Sequence, residues 1–243
     1  VPIYLVKNNL SPAGIAMDVN KGPLEKAQEH IREEKLGGKI ATRLGNGLAP
    51  LEPGETDTVI IAGMGGDLIC KILKAKPEFL IEGKEFILQP QSEWFKIRRL
   101  LKEYRYQIEK EWFLKEDGKY YVIIKAEPAW TQPQRLKHQQ PSIHEYIKEI
   151  SDTQVNQAVS EKDMESIYEQ YGKYLIETKN PVLKEYLEKE IVKKESIAAD
   201  LKLSIKEMES EELSGKERGN IAKRQRRYQE IQKEIRDMRK AIG

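Results

Sequence analysis

Residue types that commonly bind ligands follow four successive apolar runs in the first half of the chain. They are an acid, an asparagine between glycines, a three-glycine cluster and a Gln-Pro-Gln triplet, at Asp18, Asn46, 63–66 and 89–91. Carboxylates accept hydrogen bonds from ribose hydroxyls, amides contact purine edges, and glycines let a ligand approach the backbone closely. The series therefore indicates a nucleotide-type ligand.

Each segment also has a purely structural interpretation. An aspartate such as Asp18 is equally typical of a helix cap or a loop, and Asn46-Gly47 is an ordinary turn sequence. Residues 63–66 are compatible with a tight strand-to-helix turn, although the doubled glycine favours close contact with a ligand. Their succession at four neighbouring strand ends favours a binding site.

Alternating strands and helices position these segments. We predict strands at residues 13–18, 40–44, 58–62 and 85–88, and helices at 24–35, 68–74 and 94–104. Two β-rich stretches, 106–114 and 120–126, flank the hairpin turn 116–119. The pattern predicts an α/β fold with a mostly parallel, doubly wound sheet covered on both faces. Ligands of such sheets bind beyond the carboxyl ends of the strands.

The second half of the chain has a different character. Residues 128–141 read as a proline- and glutamine-rich linker, 142–180 are polar with a helical pattern, and 181–243 carry apolar stripes at spacings of three and four. A break at Ser214-Gly215 predicts an antiparallel coiled-coil hairpin. Its seam closes either within the chain or against a second copy.

Composition excludes several classes of protein. The 243 residues include 42 basic and 40 acidic side chains, and the longest apolar runs fall far short of the roughly 20 residues that a membrane helix needs. The single cysteine, Cys70, excludes an intramolecular disulfide and suits a reducing compartment. With only three histidines beside it, a zinc site is not expected. We expect a cytoplasmic protein without metal or membrane attachment.

The near-neutral net charge conceals a basic segment. Residues 216–243 carry 10 basic and 4 acidic side chains, and four of the basic ones cluster at Lys223, Arg224, Arg226 and Arg227. Such a cluster suits the phosphates of a nucleic acid. The alternative is a set of ion pairs with the first arm of the hairpin. Its acids are Glu207, Glu209, Glu211 and Glu212.

Five segments resemble, in this order, the bacterial tRNA (adenine-22-N1)-methyltransferase family. They are residues 18–24, 45–48, 61–66, 88–90 and 116–121. The resemblance covers nearly all of residues 1–127 and continues more weakly through 171–172 and 180–183. It implies a Rossmann-like class I methyltransferase domain at 1–127 that uses S-adenosylmethionine, followed by a coiled-coil domain at 181–243 that helps to hold tRNA.

The resemblance also implies roles for single residues. Asp18 would bind the cofactor ribose, with Val19 beside the adenine, and Asn46, often aspartate in the family, would read the adenine amino group. The segment 63–66 would lie beneath the methionine moiety and the target base. The implied cofactor site comprises Asp18, Val19, Asn46, Gly47, Gly63, Met64, Gly65 and Gly66.

Methylation at adenine N1 requires that the target base be turned out, because N1 lies on the Watson–Crick edge. Tyr120 or Tyr121 could stack on this base, although packing within the strand explains both tyrosines equally well. Gln89 or Gln91 would bind its amino group, with Gln89 at the mouth of the pocket. No general base is identifiable, since Asp67 suits the N-terminal dipole of a helix.

The start of the chain departs from the family pattern. Family members have a glycine-containing loop after the first strand and an Asp-His-Ala-Tyr-like stretch before a segment resembling residues 1–4. Neither is found here, so the sequence as given is expected to lack the first, central strand of the sheet and the main backbone cradle of the cofactor. We therefore expect a longer parent protein. There are two rival functions. One is a nicotinamide-dependent dehydrogenase, which is disfavoured because no Gly-x-Gly-x-x-Gly follows a strand in this sequence. The other is a non-catalytic coiled-coil RNA-binding or partner-docking protein with a degenerate α/β domain.

Overall fold

A computed structural model of the chain describes residues 1–129, 159–209 and 215–243. The strands are β1 Gly14–Asp18, β2 Ile40–Leu44, β3 Thr58–Met64, β4 Glu85–Pro90, β5 Tyr106–Glu116 and β6 Lys119–Pro128. The helices are α1 Pro2–Lys7, α2 Lys21–Glu33, α3 Gly66–Lys74, α4 Pro77–Ile81, α5 Trp94–Glu103, α6 Val159–Tyr171, α7 Lys173–Glu177, α8 Pro181–Glu209 and α9 Gly215–Ile242. Among these described helices, none has both the length and the apolar character needed to cross a membrane.

The six described strands form two sheets. β1 pairs in parallel with β2, and a second sheet has the order β3-β4-β6-β5. β3 and β4 are parallel, whereas β6 runs antiparallel to both of its neighbours. The predicted alternation of strands and helices and the closing hairpin are thus confirmed, but the described strands do not join into one sheet. Since β6 is antiparallel to β4, its first residues lie at the edge where β3 and β4 end.

The boundaries of several elements differ from the prediction for local reasons. α2 begins three residues early, at Lys21, because a proline such as Pro23 is tolerated in the first turn, where no backbone N–H is needed. α4, which begins at Pro77, was not predicted because it spans little more than one turn. β5 and β6 continue to the Asp117-Gly118 turn, where both residues have positive φ.

One face of the four-stranded sheet is buried beneath helices. Leu88 of β4 and Ile124 of β6 are fully buried there, in one hydrophobic cluster that also contains Ile167 of α6 and Leu187 of α8. The other face is more open, and Ile60 of the edge strand β3 is 37% exposed there. The two-sided burial predicted for these strands is therefore not seen in the described part of the chain.

Helices α8 and α9 form an antiparallel pair. Arg239 bonds to Glu195 at 2.5 Å, whereas Arg224 bonds to Ser204, so residue numbers rise along one helix as they fall along the other. The helix α8 starts at a defined cap, because Asn180 Oδ1 accepts hydrogen bonds from the two amides at 182 and 183, each at 3.0 Å. The coiled-coil packing and the division at 127 and 180 stay predictions. Most of the predicted linker and the Ser214 break lie outside the described residues.

A buried ion pair joins the helical part to the α/β part. Arg98 of α5 and Glu111 of β5 meet at 2.7 Å, with side chains only 4% and 0% exposed. Arg98 Nη1 also donates to the carbonyl oxygens of Glu169 and Gln170, at the end of α6, each at 3.0 Å. A buried charge without its partner is strongly destabilising, so these groups hold one another in place. The pair thereby fixes where α6 ends against the sheet.

Gly172, which separates α6 from α7, leaves the space that this ion pair occupies. A Cβ at residue 172 would lie 2.5 Å from Glu111 Oε2 and 2.9 Å from Arg98 Nη2, and the residue has φ +91°. Both the backbone conformation and the closeness of the charged groups therefore require glycine at this corner.

We predict that Gly172→Ala lowers stability more than Gly118→Ala does. Gly118 also has positive φ, but a Cβ there would meet nothing within 4 Å, so its replacement costs only the left-handed conformation, about 1–2 kcal/mol. Gly172→Ala adds the collision with the ion pair and should cost about 3 kcal/mol or more. Urea unfolding of both variants measures the difference. Equal losses would mean that the ion pair tolerates the extra carbon.

Candidate functional site

Asp18 lies at the carboxyl end of β1 and is half-buried. Its Oδ1 accepts a hydrogen bond from the amide of Asn20 at 2.8 Å, which fixes the carboxylate in a tight turn. Its backbone oxygen accepts the Gly45 amide at 3.0 Å and so draws the end of β2 alongside. No described residue donates to Oδ2. Asp18 therefore presents an oriented oxygen at the strand end, next to the exposed side chain of Val19.

The glycines around Asn46 serve the packing of their loop. A Cβ at Gly45 would lie 2.2 Å from Pro50 Cγ, and one at Gly47, which has φ +55°, would lie 2.9 Å from Ile72 Cγ2 of α3. Both glycines are thus required by neighbouring side chains, as the turn interpretation anticipated. The side chain of Asn46 is exposed between them and is available to a ligand.

The ends of β3 and β4 are joined beyond their regular pairing. The register shifts between Ala62 and Met64, and this bulge releases the amide of Gly63, which has φ +78°. The Gly63 amide instead donates to Gln89 Oε1 at 2.8 Å. One step further, the Gln91 amide donates to the Met64 carbonyl at 2.8 Å. The glycine segment and the Gln-Pro-Gln segment therefore form one rigid edge.

The start of α3 is closed by the loop that follows β4. The Gly66 amide donates to the Ser92 carbonyl at 3.0 Å, and the Asp67 amide donates to Glu93 Oε2 at 3.2 Å. A Cβ at Gly66 would lie 2.7 Å from the backbone oxygens of both Ser92 and Glu93. Gly66 is thus needed for this contact, and two amides of the helix are already engaged. These two amides are therefore not available to a ligand at the start of the helix.

Charged side chains reinforce this contact between loop and helix. Lys96 binds Asp67 at 2.9 Å and Glu93 at 2.5 Å, and Glu93 has the left-handed φ of +52°. Hydrogen bonds from Lys71 and Lys96 lower the pKa of Asp67 to about 2, and Lys96 likewise lowers the pKa of Glu93. Asp67 is therefore ionised and weakly basic at neutral pH, which argues against its acting as a general base.

Sequence reasoning missed the residues that hold the loop. Ser92 acts through its carbonyl, which no side-chain pattern reveals. Glu93 and Lys96 are three positions apart, a spacing that favours an ion pair on a helix. That spacing was the available signal, but it does not indicate that Glu93 also reaches across to α3.

Tyr120 packs against the helical part and does not face a ligand site. Its ring lies 5.0 Å from that of Tyr186 and 5.8 Å from that of Phe113. Its hydroxyl donates to Glu185 Oε1 at 3.2 Å and accepts a bond from Lys189 at 3.2 Å. Of the two interpretations of Tyr120, stacking on a base and packing, its surroundings favour packing, because the ring and the hydroxyl are both engaged.

Tyr121 lies on the opposite face of β6, because successive strand residues alternate. Leu88 is paired with Ile124, so counting along the antiparallel ladder places Gln89 opposite Ile123. Gln89 and Tyr121 therefore share one face of the sheet at its carboxyl edge. The structure brings together an amide and an aromatic ring, the two groups predicted to hold a base.

The four clustered basic residues of α9 differ in their partners. Arg224 bonds to Ser204 and to Met208 Sδ, and Arg227 pairs with Glu230 at 3.1 Å on its own helix. Lys223 and Arg226 are exposed and have no partner among the described residues. Of the acids considered as partners, Glu211, Glu212 and the side chain of Glu209 lie outside the described residues.

This basic cluster lies far from the strand ends. Tyr120 contacts α8 at Glu185, and Arg224 contacts it at Ser204. At 1.5 Å per residue the two points are about 28 Å apart along the helix. The predicted site residues thus fall into a strand-end group, which spans both sheets, and a separate basic group on the hairpin.

Comparison with known proteins identifies relatives over most of the chain. The model of the family described as tRNA (adenine(22)-N(1))-methyltransferase matches residues 1–169. The tRNA (adenine(22)-N(1))-methyltransferase of Bacillus subtilis strain 168 is 32% identical over 188 residues, which are 64% of this chain and 78% of that protein.

Solved structures have the same fold. The crystal structure of the B. subtilis m1A22 tRNA methyltransferase TrmK superposes with a TM-score of 0.69 at 25% identity, over 100% of this chain and 87% of that one. M. capricolum TrmK, in complex with S-adenosylhomocysteine, superposes with a TM-score of 0.65 at 24% identity, over 99% and 85% of the two chains. The Rossmann-like fold inferred from the sequence is thereby confirmed.

These similarities agree with the order of the strand-end segments along the chain. They give no support to a dehydrogenase or to a non-catalytic protein with a degenerate α/β domain. The chain belongs to the tRNA (adenine(22)-N(1))-methyltransferase family.

Proposed function

We propose that the protein transfers the methyl group of S-adenosylmethionine to N1 of adenine 22 of tRNA, in the cytoplasm. The family match over residues 1–169 is the observation that carries this function. The Asp18 turn and the joined ends of β3 and β4 support it, because they place suitable groups at the carboxyl edge where such folds bind ligands.

The residues at the end of β1 suit the ribose of the cofactor. Asp18 is held by the Asn20 amide through one carboxylate oxygen, and its other oxygen has no partner among the described residues. An oriented carboxylate oxygen of this kind accepts a hydrogen bond from a ribose hydroxyl. Val19 would cover the adenine, and Asn46 with Gly47 would border its amino group.

The edge formed by β3 and β4 suits the reacting end of the cofactor. When bound, S-adenosylmethionine supplies a methyl group that its sulfonium makes electrophilic. Residues 63–66 would lie beneath it. Met64 is exposed, and a Cβ at Gly63 would meet no atom within 4 Å, so there is open space above this residue. Because Ser92 and Glu93 hold this segment rigid, alignment of the methyl carbon with the base needs little reorganisation.

The face that carries Gln89 and Tyr121 suits the target base. Tyr121 would stack on the adenine, and Gln89 and Gln91 would hold it by hydrogen bonds. Adenine N1 attacks through its own lone pair, and the positive charge passes to the product base. The reaction therefore needs no protein nucleophile, and the weakly basic Asp67 has no proton to remove in this step.

The hairpin would hold the tRNA at a distance from the reacting base. Lys223 and Arg226 have no ion-pair partner in the described part of the chain, so binding of phosphates would break no ion pair among the described residues. Arg224 and Arg227 border them, although both have protein partners. Contacts of this kind position an RNA without reading its sequence.

The first test concerns the cofactor. Asp18→Ala should weaken S-adenosylmethionine binding about tenfold or more, because a charge-assisted hydrogen bond is lost. Isothermal titration calorimetry measures the affinity. Glu25→Ala is the control, since it removes the same charge from an exposed position of the neighbouring helix α2. Equal affinities of the Asp18→Ala and wild-type proteins would remove Asp18 from the cofactor site.

The second test concerns the tRNA. Replacing Lys223 and Arg226 together by alanine should weaken tRNA binding and reduce the slope of log affinity against log salt by about 2, one for each phosphate contact. Filter binding over a salt series measures both quantities. The control is the double replacement of Lys233 and Arg236 by alanine, exposed cations of the same helix nearer its carboxyl end. Indistinguishable slopes for the two double variants would mean that the basic cluster makes no specific phosphate contact.

A further inference from the structure

The amide of Gln89 has a fixed orientation. The Gly63 N–H donates to it at 2.8 Å, and only the oxygen of a glutamine amide can accept this bond. Nε2, which carries two N–H donors, must therefore point the other way. The position of each polar atom of Gln89 is thus determined by the bulge in β3.

Nε2 of Gln89 is buried and has no hydrogen-bond partner in the described part of the chain. Leaving a buried donor unpaired is unfavourable, and such groups usually mark a partner that is missing from the structure. The missing partner must be an acceptor, since Nε2 can only donate. It must also reach the carboxyl end of β4, on the face that Gln89 shares with Tyr121.

The reaction restricts which edge of the adenine can satisfy this donor. N1 must face the methyl group, so no protein group can bind N1 itself. The N6/N7 edge remains free, and it presents one donor, the amino group, beside one acceptor, N7. A glutamine amide matches this pair, since its oxygen and its nitrogen can bind both groups together.

We propose that Gln89 selects the target base by binding the N6/N7 edge of adenine. Nε2 donates to N7, and Oε1 accepts from the N6 amino group through the lone pair that Gly63 leaves free. Guanine is disfavoured at this site, because its O6 would face Oε1, acceptor against acceptor. The inference rests on the proposed function and assigns the atoms through which its substrate is recognised.

The test uses tRNA that carries 7-deazaadenosine at nucleotide 22, which lacks the N7 acceptor. Wild-type protein should methylate it with kcat/KM about tenfold or more below that for unmodified tRNA, because one buried hydrogen bond is lost. The variant Gln89→Glu keeps oxygens that accept hydrogen bonds from the Gly63 amide and from the adenine amino group, but it removes the N–H that would donate to N7. This variant should be impaired on unmodified tRNA and should show no further loss on the deaza substrate.

Two controls separate recognition from folding. Gln28→Glu makes the same chemical change at an exposed position of helix α2, where Gln28 bonds to Thr42. This variant should favour unmodified tRNA over the deaza substrate by the same factor as the wild type does. Gln89→Met, which removes both amide groups, should also be insensitive to N7. Thermal melting and S-adenosylmethionine titration of each variant report on folding and on the cofactor site.

Several outcomes would overturn the inference. One is equal methylation of both tRNAs by the wild type, and another is an equal loss on the deaza substrate in wild type and Gln89→Glu. Both leave the proposed function intact, since unmodified tRNA is still methylated. Absence of methylation of unmodified tRNA by the wild type would overturn the proposed function together with the inference.

Discussion

The arrangement of this protein depends on one buried ion pair. Arg98 and Glu111 lie in the interior, where an isolated charge would be strongly unfavourable, so each requires the other. Arg98 also holds the last carbonyls of α6, and Gly172 gives the chain room to turn beside it. Only the short helix α7 and the Asn180 cap lie between this corner and α8, so a contact inside the α/β part fixes the point from which the chain leads into the hairpin.

A second constraint acts at the carboxyl edge of the sheet. The bulge at Gly63 removes one amide from the strand ladder and gives it to the side chain of Gln89, while Ser92 and Glu93 close the start of α3. In the proposed function, the same few hydrogen bonds would shape the surface beneath the methyl group and orient an amide towards the base. Cofactor geometry and base recognition would then be coupled through backbone groups.

Much of this was predictable from sequence. Periodicity located the strands, the hairpin turn and both long helices, and the order of the strand-end segments identified the family. Apolar runs do not specify which strands pair, so the division into two sheets did not follow from them; the family pattern, with its additional central strand, was the signal that bears on it. The packing partner of Tyr120 was not predicted, because Tyr186 lies 66 residues away in the chain. The closure of α3 was missed because it uses the Ser92 carbonyl and not a side chain.

The separation between the strand ends and the basic cluster has a consequence for substrate size. A helix of constant rise cannot stretch, so the span of about 28 Å between Glu185 and Ser204 of α8 is fixed. In the proposed function, an RNA whose phosphates reach Lys223 while its target base reaches Gln89 would have to match this separation. Recognition of the substrate would then depend on the dimensions of the folded RNA as well as on the adenine.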